Sequence, residues 1–99
     1  MRTLLRVSIP LQAGNAAILD GRLLRELQSL MEQIEPEAAY FVTDCGVRTA
    51  LIVFDLKEPS QIVEIAEPLF IRLNAAVEFV PAMTTDDLCA GLEAAADRF

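Results

Sequence analysis

Two β-rich runs, Ala38 to Thr43 and Val47 to Leu56, are separated only by Asp44-Cys45-Gly46, and stretches of helical periodicity flank the pair on both sides. A connection that short turns the chain back on itself, so the two runs must pair antiparallel as a hairpin. Val, Ile, Phe, Thr and Tyr fill both runs, and these are the side chains that suit a pleated surface. The turn falls where positive φ can be required. Gly meets that demand and Cys does not, so a bulged connection is expected in place of a tight one.

On the N-terminal side, Thr3 to Ile9 alternates, with Leu5, Val7 and Ile9 opposite Leu4, Arg6 and Ser8, and Pro10 closes it. That pattern is a first strand. Gly14-Asn15 opens a short helical stretch over Ala16 to Leu19, punctuated by Asp20-Gly21. Leu23, Leu24, Leu27, Leu30, Met31 and Ile34 then line one face of an amphipathic helix, with Asp20 as its expected N-cap and Pro36 past its end.

On the C-terminal side, Pro59 and Ser60 announce a helix whose stripe is Ile62, Ile65, Ala66, Leu69, Phe70 and Leu73. Pro68 lies inside it, and a kink or early break is expected there, since an interior proline costs about 3 kcal/mol. Ala76 to Val80 reads as a short strand closed by Pro81. Thr84 with Asp87 forms a capping-box pattern ahead of Leu88, Cys89, Leu92, Ala95, Ala96 and Phe99, a last amphipathic helix that places Cys89 in the core.

The order is therefore βαββαβ followed by α. Right-handed crossovers on either side of a hairpin give a four-stranded antiparallel sheet with helices on one face, the α+β ferredoxin-like sandwich. Ninety-nine residues, 54% of them hydrophobic, supply one core and one domain, 1–99.

A sheet with one wet face should alternate. Ala50-Leu51-Ile52-Val53-Phe54 and Ala38-Ala39-Tyr40-Phe41-Val42 do not, so both faces of the inner sheet are apolar although helices cover only one. Exposed apolar patches of that kind mark interaction surfaces. A second protomer, the C-terminal helix folded across, or a bound apolar ligand could cover the face. The protomer is favoured because two-fold pairs are the commonest soluble assembly, and two such sheets joined face to face give a dimeric α+β barrel with a central cavity. The C-terminal helix would then pack at the edge or exchange onto the partner.

Fifteen Asp and Glu against eight Lys and Arg leave a net charge of −7 spread along the chain. Nucleic acid and anionic membrane surfaces are disfavoured as partners, because both are held chiefly by clustered cations. Arg6 interrupts the N-terminal apolar run, and no stretch approaches the roughly twenty apolar residues of a membrane span. A cytoplasmic location follows, with Cys45 and Cys89 as free thiols.

The chain contains no His, which removes Ser-His-Asp and Cys-His nucleophile systems, His-ligated zinc or haem, and the usual general base near neutral pH. Two Cys without His assemble neither a zinc set nor a CxxC motif, and the glycines do not match a phosphate-cradling loop. No cofactor or metal is expected, and no catalytic residue can be named.

The candidate ligand-binding residues are Arg6, Ser8, Asn15, Tyr40 and Glu78. Arg6 and Ser8 point to the open face, where Glu78 would neighbour Arg6 from the fourth strand. Together they could anchor an anionic or carbonyl-bearing ligand, or Arg6 and Glu78 could simply pair with each other. Tyr40 could donate a proton there, or place its hydroxyl in water or on a partner. Asn15 is a cap, a loop-ordering residue or a ligand contact. Asp44 would raise the pKa of Cys45, which reads as an incidental turn thiol.

Ser8-Ile9-Pro10, Ala13-Gly14-Asn15-Ala16-Ala17-Ile18, Asp20-Gly21, Pro36-Glu37-Ala38-Ala39-Tyr40-Phe41, Pro59-Ser60-Gln61-Ile62 and Ile65-Ala66-Glu67-Pro68-Leu69-Phe70 together cover most of the chain. With these stretches it resembles the dimeric α+β barrel group of ferredoxin-like proteins, and more closely a small bacterial family without an assigned activity. The wider group includes cofactor-free monooxygenases, haem-degrading enzymes, isomerases and stress-responsive binding proteins, so the resemblance implies a fold and a dimer without selecting an activity. Its haem-handling branch relies on a His that this chain lacks. The expectation is a homodimeric cytoplasmic binding or interaction module with a small apolar or anionic ligand. The alternative is an isomerase or cofactor-free monooxygenase with its cavity at the open sheet face.

Overall fold

The computed structural model describes residues 1–99 as β1 (Arg2–Ile9), α1 (Leu11–Leu19), α2 (Arg22–Ile34), β2 (Ala38–Asp44), β3 (Val47–Asp55), α3 (Ser60–Leu73), β4 (Ala76–Pro81) and α4 (Thr85–Ala96). The strands form one antiparallel sheet in the order β2-β3-β1-β4. β1 sits between β3 and β4, as two crossovers split by a hairpin require. This is the α+β ferredoxin-like arrangement. No helix is long and apolar enough to cross a membrane.

Register sets the two faces. Leu5 stands between Ile52 and Phe79, and Val7 between Ala50 and Val77, which sends these residues together with Ile9 and Phe54 to one side. Ala17 of α1, Leu30 and Ile34 of α2, and Ile65, Leu69 and Leu73 of α3 close over them. Each large side chain removed from water contributes roughly 1.5–3 kcal/mol. Phe54 and Phe79 meet edge to face with ring centroids 6.4 Å apart.

Local chemistry moves several boundaries. α1 starts directly after Pro10, whose carbonyl accepts from Gly14 N at 2.8 Å, so Gly14-Asn15 lies inside the helix rather than at its opening. Gly21, at φ 78°, takes the N-cap of α2, since glycine enters the left-handed region without a steric cost. Asp20 stands one residue outside. It accepts from Arg22 N at 3.1 Å and faces Arg22 Nε at 2.8 Å, and this guanidinium holds its carboxyl below the usual carboxylate range.

The expected break at Pro68 does not occur: α3 runs through it to Leu73. The burial of Ile65, Ala66, Leu69 and Leu73 outweighs the one lost donor. Nor is the hairpin bulged. Asp44 pairs with Val47, leaving the two-residue turn Cys45-Gly46 with φ of 53° and 79°. Two successive positive φ values fit a primed hairpin turn, whose twist matches that of the strands, and Cys45 accepts a left-handed conformation to provide it.

α4 carries the capping box as read. Thr84 Oγ1 accepts from Asp87 N at 3.2 Å, and the Asp87 carboxylate accepts from Thr84 N at 2.9 Å. The helix buries none of its residues, however, and Cys89 is exposed rather than part of the core. The chain extends 56 Å along its longest axis and has a radius of gyration of 16.0 Å. A compact chain of this length would have a radius of about 13 Å. Leu88 and Leu92 on the apolar stripe of α4 stay about half exposed, at 48% and 56%.

Candidate functional site

The side of the sheet away from α1, α2 and α3 is built in rows. Tyr40, Leu51, Arg6 and Glu78 stand in register across all four strands, flanked by the row Ala38, Val53, Leu4, Val80 and by the row Val42, Thr49, Ser8, Ala76. Alternation along β1 therefore places Arg6 and Ser8 here, with Tyr40 and Glu78 in the Arg6 row. Tyr40 is 68% exposed, and Val42 and Val80 are also exposed. The face is apolar apart from this line of polar groups and its rim.

Charge pairing on the face differs from the expectation. The Arg6 guanidinium pairs with Asp44 at the end of β2 and not with Glu78, although Glu78 is its register neighbour. Arg6 is long enough to reach diagonally across β3, and Asp44 ends its strand where the turn leaves a half-exposed carboxylate. Reading strands one neighbour at a time hid this pair, because Asp44 registers as a turn residue. At the far edge Arg2 Nε meets Glu37 at 3.0 Å, and its Nη1 lies 3.8 Å from Asp87, tying the first turn of α4 to this side of the sheet.

Asn15 is not part of this face. It lies on α1, across the sheet, where its Oδ1 accepts from Arg48 Nη2 at 3.0 Å. Arg48 shares a row with Ile9 and Thr43, so its side chain leaves β3 toward the helices. Beside it a cavity of about 450 Å³ opens between α2 and the β2 edge, bounded by Leu23, Leu27, Phe41, Thr43 and Arg48 among others. Phe41 is 57% exposed here, since α2 does not close over β2. Sequence reasoning missed Arg48, because a cation near the start of a strand ordinarily faces water. Gly14 is the signal that could have found it: a glycine within a helix points to a close neighbour.

Nowhere do three His, Cys, Asp or Glu side chains gather into a set that could hold a metal ion. No protein-family model and no curated protein matches the chain.

Proposed function

We propose that the chain is a homodimeric cytoplasmic binding or interaction module, two copies of which join through their open sheet faces in a dimeric α+β barrel. The observation that carries this reading is the uncovered apolar face of Leu4, Leu51, Val53, Val42 and Val80, in a chain whose α4 also buries nothing. An isolated helix of this length is marginal in water, so α4 calls for a surface to pack against. A two-fold pair offers both surfaces at once, with the stripe of Leu88 and Leu92 laid on the partner. The exposed free thiols Cys45 and Cys89 fit a reducing compartment.

Native mass spectrometry, with light scattering across a dilution series, tests the reading. A dimer is expected, and Val53→Lys should convert it to monomer by placing a charge at the centre of the joined faces. A monomeric wild-type chain at every concentration overturns the proposal.

The row Tyr40, Leu51, Arg6, Glu78 favours a second reading, in which the dimer encloses a cavity and acts on a small molecule as an isomerase or cofactor-free oxygenase. Tyr40 would donate the proton, and Arg6 and Glu78 would orient the substrate. Pairing with Asp44 already answers the charge of Arg6, which supports the plain module instead. A retained ligand, read as added mass on the dimer, would turn the balance toward the enzyme.

A further inference from the structure

Carboxylates outnumber cations fifteen to eight, and Arg2, Arg6, Arg22 and Arg72 each face one. Arg48 faces none. Its Nη2 donates to the neutral Asn15 Oδ1, and its Nη1 is buried with no protein acceptor in reach. Nη1 lies packed on Gly14, but the guanidinium as a whole is half-exposed at the groove, and its charge, met only by a neutral amide, is open to pairing with an incoming anion at its accessible edge. Gly14 sets where that head group lies, because a Cβ at this position would stand 2.6 Å from Nη1.

The surroundings define what such an anion must look like. Ile9, Leu23, Leu27 and Phe41 make the walls apolar, and Arg48 is the only cation among the lining residues. One cation in a chain of net charge −7 suits a monoanion and disfavours a phosphate dianion. The cavity of about 450 Å³ continues past Leu27 and Phe41 toward Leu24 and Met31, leaving room for an apolar tail. Its size falls within the roughly 300–1,000 Å³ of ordinary small-molecule sites.

We propose that this groove between α2 and β2 binds a small monocarboxylate with an apolar tail, its carboxylate on Arg48 and its tail between Leu27 and Phe41. The groove opens toward α2 at the β2 edge and shares only Val42 and Thr49 with the proposed dimer face, and the two proposals rest on different observations, so either can fail without the other.

Hexanoate and 1-hexanol, titrated separately into the ¹⁵N-labelled protein and followed by amide chemical shifts, provide the test. Hexanoate should shift Leu27, Phe41 and Arg48 saturably and bind at least about tenfold more tightly than hexanol, as a charge-assisted hydrogen bond requires. Arg48→Gln should bring hexanoate down to the level of hexanol and leave hexanol unchanged, and Gly14→Ala should weaken hexanoate by displacing the guanidinium. Equal affinity of the two probes for the wild-type protein overturns the proposal, as does no binding, or shifts confined to Tyr40 and Leu51 on the open face. The wild-type comparison decides the matter even if a variant fails to fold.

Discussion

α3 and α4 are written in the same sequence pattern and end up in opposite circumstances. Each has apolar residues at helical spacing, and α4 has the better start, with a complete capping box where α3 has no side-chain cap. Yet α3 buries Ile65, Ala66, Leu69 and Leu73 against the sheet, while α4 leaves Leu88 and Leu92 exposed. Periodicity states that a helix has an apolar side. It does not state whether the same chain supplies what that side packs against.

The largest effect expected from this contrast is at Leu69. Leu69→Ala opens a cavity in a buried cluster and should cost about 2–5 kcal/mol in chemical denaturation, with little dependence on protein concentration. Leu92→Ala should cost little in dilute, dissociated protein and progressively more as concentration rises and copies associate. A Leu92→Ala cost as large as that of Leu69→Ala and independent of concentration would mean that α4 packs within its own chain, and the contrast would collapse.

The same contrast marks how far the sequence was legible. Strand order, both crossovers and the side to which Arg6 and Ser8 point followed from alternation in β1 and from the short hairpin, because period and connection length are local properties. The destination of α4 did not, since Cys89 sits on a real apolar stripe that its own chain leaves unburied. Arg6–Asp44 and Arg48–Asn15 were also hidden. Both join residues far apart in sequence through long flexible side chains, and only the assembled sheet brings their ends together. Pro68 shows the reverse error, a valid local penalty overruled by packing on both sides of it.

A smaller effect is expected at the start of α4. The hydrogen bonds that Asp87 accepts from Thr84 hold its carboxyl below its ordinary value of 3.8. A depressed carboxyl contributes stability that is present above its unfolded value and lost as pH falls through the folded one. Acidification below about 3.8 should therefore fray α4. Far-ultraviolet circular dichroism should record this loss of helix in a variant held monomeric by Val53→Lys. Thr84→Ala should remove about 1 kcal/mol of helix stability at neutral pH and only reduce the acid step, because the backbone N–H of residue 84 still donates to Asp87, whereas Asp87→Asn should abolish the step. An acid step of unchanged size in Asp87→Asn would show that the cap is not its source.

The smallest effect lies in the hairpin, where the backbone sets the terms. Cys45 holds φ of 53° beside Gly46 at 79° because Asp44 and Val47 pair and leave only two residues to reverse the chain. A cysteine gains nothing there to offset its strain, whereas asparagine favours the left-handed region and Asn-Gly is the preferred pair for this turn. Cys45→Asn should raise stability by about 0.5–1 kcal/mol in urea denaturation. It should leave Arg6–Asp44 intact, because the pairing that positions Asp44 is unchanged. A loss of stability would instead assign the cysteine side chain a packing role, one that only a partner could provide since Cys45 is exposed on its own chain. The turn would then belong, with α4, to the surfaces that this chain presents without covering.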